Sequence, residues 1–210
     1  MSELFSIQLQ NRQQQGRDSV WLDLPTTTEQ VQAALRQIGI SSDNPQGLFI
    51  SGYFAEEEKR FAIPYNMVLA SNVDELNFMA ARLETLSAGE RAELNAALQA
   101  PQSELSSIGR ITDFPENVEY YVHLPDVRSP AQLGDYYLNR SGMVDMPEEW
   151  KGGIDTAQFG RYVAQQEQGA FTQYGYLVKS GDEWQKVHEG QPVPEEYRVL
   201  SFPAPEVLRD

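Results

Sequence analysis

The stretch GDYYLNRSGMVDMPEEW, from Gly134 to Trp150, combines a helix-like run with a strong helix stop and an acidic turn. It contains four carboxylates, one arginine and two adjacent tyrosines, and it has no histidine, no cysteine and no glycine-rich loop. Upstream, Ser129 is predicted to cap the helix and Pro130 to take its first position, while Gly142 ends it. The pattern therefore predicts acidic side chains held on ordered structure, with no reactive group beside them.

Residues 1–64 are predicted to form a small α+β domain. Alternating apolar residues indicate strands in FSIQLQ and SVWLDLP, and GLFISGYF supplies a third strand. Between them, Thr26 and Glu29 fit a capping box that opens a helix. The buried stripe of that helix is expected to be Val31, Ala34, Leu35 and Ile38.

Residues 65–112 are predicted to form a helical middle domain. Ser71 or Asn72 caps the first helix, and Ser87 with Glu90 fits the capping box of a second, so the segment is typical of a helical hairpin.

Residues 113–178 are predicted to be a second α+β domain. Its strand NVEYYVHL should bury Val118, Tyr120 and Val122, and its helix after Asp155 should bury Phe159, Tyr162 and Val163. Next, YGYLVK and EWQKVH are predicted to form a hairpin about an SGD turn. Residues 179–210 are predicted to be a C-terminal extension that completes this hairpin and adds a strand near YRVLSF before a loose, proline-rich end. The expected fold is thus α+β, an elongated chain of three small domains with a C-terminal hairpin extension.

Charge is the most informative property of the composition. The 210 residues include 31 acidic and 16 basic side chains, a formal net charge of −15. The net charge is −3 in residues 1–64, −3 in 65–112, −6 in 113–167 and −3 in 168–210, so the acid is not confined to a tail. Binding to DNA or to an anionic membrane needs the opposite sign, whereas a basic partner surface is favoured. The other interpretation of the negative charge is that it serves only to keep the protein soluble.

The remaining composition excludes several classes of site. The sequence has no cysteine, no secretory signal pattern and no apolar run near the roughly 18 residues of a membrane span, so we expect a cytoplasmic protein. His123 and His188 are isolated, and no common catalytic, nucleotide-binding or calcium-binding motif is present. Adjacent acids such as Glu148 and Glu149 do not converge on one point. We expect no catalytic residue, no metal and no cofactor.

Three stretches in register resemble the ArdA family of antirestriction proteins. They are VWLDLPTTTEQVQAALRQIGI, VDELNFMAARLETLSAGERAEL, and a third that runs from GDYYLNRSGMVDMPEEW through GGIDTAQFGRYVAQQEQGAFTQYGYL. The resemblance implies an elongated, curved homodimer that looks like duplex DNA. It also implies that surface carboxylates stand in for phosphates in the DNA-binding groove of type I restriction–modification enzymes, which protects incoming DNA of a mobile element.

On this interpretation, the acids at the partner surface are Asp74, Glu75, Glu84, Glu90, Glu93, Asp126, Asp135, Asp145, Glu148, Glu149 and Asp155. The resemblance also places the dimer interface in the domain of residues 113–178. Tyr136, Tyr137 and Trp150 are expected at this contact, and the alternative is that they fill the monomer core. Two other functions are open. One is an acidic interaction module for a different basic, DNA-binding partner, and the other is a hydrolase that uses buried carboxylates.

Overall fold

The computed structural model describes residues 4–13, 19–56 and 60–205. Over these residues the chain forms α-helices and two three-stranded antiparallel sheets, which confirms the α+β class. The chain divides into two compact units. Unit 1 combines Met1–Leu86, Ser106–Pro115 and Lys186–Asp210, and unit 2 combines Ser87–Leu105 and Glu116–Gln185. The division into three consecutive domains remains a prediction.

The elements follow one another as short strands and helices. The strands are β1 (Phe5–Asn11), β2 (Val20–Leu24), β3 (Leu48–Phe54), β4 (Tyr121–Leu124), β5 (Ala170–Thr172) and β6 (Gly175–Lys179). The helices are α1 (Thr28–Gln37), α2 (Tyr65–Leu69), α3 (Val73–Glu84), α4 (Ala88–Gln99), α5 (Ile108–Thr112), α6 (Pro130–Asn139), α7 (Glu148–Lys151) and α8 (Thr156–Glu167). Of the predicted helical pair, α3 belongs to unit 1 and α4 to unit 2.

Unit 1 is built on a sheet of strand order β2-β1-β3. The predicted alternation in β1 is confirmed, because Phe5, Ile7 and Leu9 are all buried. The buried stripe of α1 is also as predicted and consists of Val31, Ala34, Leu35 and Ile38. Burial of these side chains supplies the hydrophobic free energy that holds the helix against the sheet.

The capping box of α1 lies one residue later than predicted. Thr27, not Thr26, accepts a hydrogen bond from the Gln30 backbone, and the Gln30 side chain accepts one from the Thr27 backbone. Thr26 is buried, and its N–H donates to Oδ1 of Asn77 at 2.7 Å. The tertiary contact of Thr26 therefore fixes the start of the helix, and the local T-x-x-E pattern does not.

The predicted hairpin about the SGD turn is wrong, since the chain forms no strand between Ser180 and Pro194. The hairpin of this region is β5–β6, and β6 is the central strand of the order β4-β6-β5. In a hairpin, backbone N–H groups of the second strand would bond to the first strand. Here three N–H groups of this segment donate to a side chain instead. The fully buried Asp113 carboxylate accepts from Val187, His188 and Glu189 at 3.3, 2.6 and 3.2 Å.

The last described segment, which belongs to unit 1, is held by hydrogen bonds rather than loose. Oδ1 of Asp74 accepts hydrogen bonds from the N–H groups of Val199 and Leu200 at 2.8 and 2.7 Å. Asn77 donates its side-chain N–H to the Tyr197 carbonyl at 3.1 Å. The predicted strand near Tyr197 is absent, because these backbone groups bond to side chains of α3.

Unit 2 is organised by a close contact between α6 and α8. A Cβ added at Gly134 would lie 2.0 Å from the Thr156 carbonyl oxygen, and one added at Gly160 would lie 1.8 Å from that of Pro130. Tyr162, two residues after Gly160, points away from this contact and is 60% exposed. Its predicted burial is therefore wrong, as is that of Val122, because Tyr121 is the buried residue at the start of β4.

Replacing Asp113 by asparagine should destabilise the protein by about 3 kcal/mol. The amide keeps one acceptor oxygen but places an N–H₂ group against backbone donors, and hydrogen bonds to a charged group contribute roughly 1.5–3 kcal/mol each. Urea unfolding measures the effect, with Glu196→Gln as the control because Glu196 is exposed. An Asp113→Asn protein as stable as the control would contradict this role.

Gly160→Ala should cost about 2–3 kcal/mol, because the new methyl group collides with backbone that cannot move aside. Gly89→Ala is the matched control, since Gly89 lies in α4 with no atom within 4 Å of the added Cβ. That substitution should raise stability by about 0.5–1 kcal/mol through helix propensity. Equal effects at the two glycines would show that the α6–α8 contact tolerates a side chain.

Candidate partner-binding surface

The predicted acids are divided between the two units. Asp74, Glu75 and Glu84 lie on α3 of unit 1. The other eight lie in unit 2: Glu90, Glu93, Asp126, Asp135, Asp145, Glu148, Glu149 and Asp155. Five of those eight are exposed, and all five fall between Asp126 and Asp155.

Several of the predicted acids bond to the protein's own backbone. Asp74 is occupied by the N–H groups of Val199 and Leu200. Glu75 and Glu90 are the third residues of the capping boxes of α3 and α4, and Asp155 caps α8 by accepting from the Gln158 N–H at 2.9 Å. These bonds fix where each carboxylate stands. The pKa of Glu90 is lowered by hydrogen bonds from Ser87, so Glu90 remains ionised.

Glu93 differs from the other predicted acids because it is not fully charged near neutral pH. Burial, with a smaller contribution from the charge of Glu90, raises the pKa of Glu93 to about 8. Its Oε1 atom is buried and has no hydrogen-bond partner in the structure. Glu93 therefore suits the interior of unit 2 better than a surface that imitates phosphate.

The remaining acids of unit 2 form what we call the acidic segment: Asp126, Asp135, Asp145, Glu148 and Glu149. Asp135 pairs with Arg140 at 3.2 Å, and Glu148 pairs with Lys151 at 2.9 Å. Every residue of unit 2 is described, and no ion pair there includes Asp126, Asp145 or Glu149. Exposed ion pairs contribute only about 0–1 kcal/mol, so a basic partner can compete for all five carboxylates.

Three of the five carboxylates of the acidic segment lie on helices. Ser129 caps α6, which carries Asp135, by accepting from the Gln132 N–H at 3.3 Å. Glu148 and Glu149 occupy the first turn of the short helix α7, where the helix dipole favours negative charge. Sequence reasoning missed Glu119, an exposed acid of unit 2 that stands next to the buried Tyr120.

The three residues predicted at the dimer contact have different surroundings. Tyr136 and Tyr137 pack against the core of unit 2, formed by Val127, Leu133 and Tyr176. The hydroxyl groups of Tyr137 and Tyr176 both donate to the Glu167 carboxylate, and desolvation raises the pKa of both tyrosines. This agrees with the alternative interpretation that the two tyrosines fill the core. Trp150, in contrast, is 66% exposed, and a dimer contact through these residues remains a prediction.

Both histidines have structural surroundings. His123 places Nε2 2.8 Å from the Tyr174 carbonyl oxygen, and His188 lies edge-to-face on Phe78. In the described ranges, no three histidine or acidic side chains are arranged to hold a metal ion. None of the helices described has the length and apolar character required to traverse a bilayer.

The raised pKa of Glu93 predicts a pH-dependent stability. The unfolded chain loses this proton near pH 4.5 and the folded chain near pH 8, so the free energy of unfolding should fall as the pH rises between these values. Glu93→Gln should remove this decline, whereas Glu149→Gln, at an exposed position, should leave it. Urea unfolding at pH 5, 6.5 and 8 measures the slope. An unchanged slope in Glu93→Gln would contradict the assignment.

One family model, described as antirestriction protein (ArdA), matches residues 16–178, more than three quarters of the chain. No curated protein matches the sequence. The match includes all eleven acidic residues predicted for the partner surface and the α6–α8 contact of unit 2, and it ends within β6, before the C-terminal segment of unit 1. The chain belongs to the ArdA family of antirestriction proteins, which are inhibitors and not enzymes.

Proposed function

We propose that this antirestriction protein acts as a mimic of duplex DNA, occupying the DNA-binding groove of a type I restriction–modification enzyme. The acidic segment carries the proposal. Its five carboxylates lie within 24 residues of chain, and three of them have no ion pair in unit 2. Such an inhibitor would protect incoming DNA of a mobile element without any catalysis.

The charge of unit 2 supports this proposal. Unit 2 holds 14 acidic and 6 basic residues, a net charge of −8. Proteins that bind duplex DNA present basic side chains to a backbone that carries one negative charge per roughly 1.7 Å of axis. A surface with the same sign of charge attracts those side chains, and like DNA it should bind less tightly as salt screens the attraction.

Rigidity is the second requirement of a mimic, because a carboxylate that must be ordered on binding loses conformational entropy. The capped start of α6, the glycine contact between α6 and α8, and the Asp155 cap of α8 fix the backbone around the acidic segment. The partner would therefore meet carboxylates of which three, Asp135, Glu148 and Glu149, are carried on helical backbone that is already ordered.

We further propose that the protein acts as a homodimer. Trp150 is 66% exposed and Met143 is 73% exposed, and both lie in the stretch from Gly134 to Trp150. Exposed large apolar side chains of this kind are common at contacts between protein chains. The nearby carboxylates would then be repeated on the second copy, which lengthens the anionic surface.

Replacing Asp145, Glu148 and Glu149 together by Asn, Gln and Gln should weaken inhibition of a type I enzyme about tenfold. If each carboxylate contributes about 0.5 kcal/mol to binding, losing three weakens the affinity by about a factor of ten. The measurement is the concentration of protein that halves ATP-dependent DNA cleavage at 50 and 200 mM salt. The difference between variant and parent should shrink at the higher salt.

The matched control is the triple substitution of Glu183, Glu195 and Glu196 by glutamine. It removes the same charge from exposed positions beyond residue 178, outside the family match. We expect it to keep nearly the potency of the parent protein. Equal loss in both triple variants would show that only net charge matters, and a parent protein that fails to inhibit at large excess would defeat the proposed function.

A further inference from the structure

The outer face of the unit 1 sheet carries an exposed aromatic pair that the acidic segment does not involve. Trp21 of β2 is 49% exposed and Phe54 of β3 is 57% exposed, although both belong to regular strands. Their ring centroids are 6.4 Å apart at an interplanar angle of 71°. The opposite face of the sheet already holds the core residues, so this pair is not needed to fill the interior of unit 1.

Glycine makes room for the indole on the sheet. Trp21 and Gly52 both pair with Gln8 of the central strand, one from each side. A Cβ added at Gly52 would lie 2.9 Å from Cβ of Gln8 and 3.2 Å from Cη2 of Trp21, both tighter than ordinary van der Waals contact. The Trp21 ring therefore extends across β1 towards the backbone of β3, and the residue stays 49% exposed.

A carboxylate stands on the same face. Asp23 is two residues from Trp21 along β2, and side chains two apart in a strand share a face. Oδ1 of Asp23 accepts a hydrogen bond from the Ser6 hydroxyl at 2.8 Å, which orients the group while the residue stays exposed. The patch thus combines an indole, a phenyl ring and a positioned anion.

We propose that Trp21, Phe54 and Asp23 form a stacking site for an arginine side chain of the partner protein. A planar guanidinium stacks on an indole face through cation–π attraction, and its N–H groups can bond to a nearby carboxylate. Lysine offers a compact ammonium without the planar surface, so the site should prefer arginine. This inference rests on the proposed function, because it takes the partner to be the basic DNA-binding groove of the inhibited enzyme.

The charge of unit 1 decides against a nucleic acid as the occupant. Exposed aromatic rings on a small sheet can stack bases, but such surfaces also carry basic side chains for the phosphates. Unit 1 holds 17 acidic and 10 basic residues, a net charge of −7, and Asp23 lies beside the indole. The same negative potential attracts a basic protein surface.

The direct test follows the indole N–H signal of Trp21 by NMR while a short peptide is added. The probes are Gly-Arg-Gly-Arg-Gly, the same peptide with lysine in place of arginine, and a ten-residue oligothymidylate. The signal is assigned by its absence in Trp21→Leu, which keeps an apolar side chain without the aromatic face. We expect the arginine peptide to shift the signal at least twice as far as the lysine peptide, and the oligothymidylate to leave it in place.

Equal shifts from both peptides, no shift from either, or a shift with oligothymidylate would overturn the proposal. This measurement needs no restriction enzyme, so it decides the inference even if the parent protein fails to inhibit one.

A second measurement tests whether the arginine site contributes to inhibition of the restriction enzyme. Trp21→Leu should weaken inhibition of DNA cleavage about fivefold, the size expected when one cation–π contact is lost. Tyr162→Leu, which removes an exposed ring from unit 2, should keep the parent potency. Thermal unfolding of both variants confirms that they are folded. Unchanged potency of folded Trp21→Leu, with a parent that does inhibit, would overturn the arginine site while leaving the proposed function in place.

Discussion

Backbone N–H groups in an irregular segment need acceptors, and in this protein two carboxylates supply them. Asp113 takes three consecutive N–H groups and Asp74 takes two, from residues far along the chain. A buried donor left without an acceptor would cost free energy comparable to a lost hydrogen bond. The last segment of unit 1 is therefore held by side chains, and its described residues, 186–205, form no strand and no α-helix. Unit 1 is closed by the same bonds, because its last part is this segment.

The carboxylates of the chain therefore fall into two classes. Some bond to the protein's own backbone, as Asp74, Asp113 and Asp155 do, and they determine the fold. Others, among them Asp145 and Glu149, face solvent without an ion pair in unit 2 and are available to a partner. Net charge alone does not separate the classes. An acidic protein can thus be strongly charged and still direct only part of that charge towards another molecule.

Local patterns predicted a large part of the fold. The alternation in β1, the stripe of α1, and the caps of α3, α4, α6 and α8 were readable because each depends on residues within one or two turns. The C-terminal segment was not predictable, because its acceptors lie about 75 to 125 residues earlier in the sequence. Likewise, the buried face of α8 follows from the approach of Gly160 to α6, which hydrophobic periodicity does not reveal.

The candidate partner-binding surface was also predictable only in part. Composition and resemblance identified the acids of the acidic segment, and those residues are indeed exposed or half-exposed in unit 2. The burial of Glu93 could not be predicted, because a charge count from the sequence treats every glutamate as ionised. The patch around Trp21 was not predicted, because it depends on strand pairing between distant parts of the sequence. The pairing of β1 with both β2 and β3 brings Trp21, Gly52 and Phe54 to one face of the sheet.

The central claim is that this protein takes the place of DNA on its target. The most direct measurement is equilibrium competition, in which the protein is titrated into a complex of a type I enzyme with fluorescently labelled duplex DNA and anisotropy reports the bound DNA. The account predicts complete displacement of duplexes with or without the enzyme's recognition sequence, with a midpoint that rises with the concentration of duplex. A ternary complex in which the labelled DNA stays bound at saturating protein would contradict it.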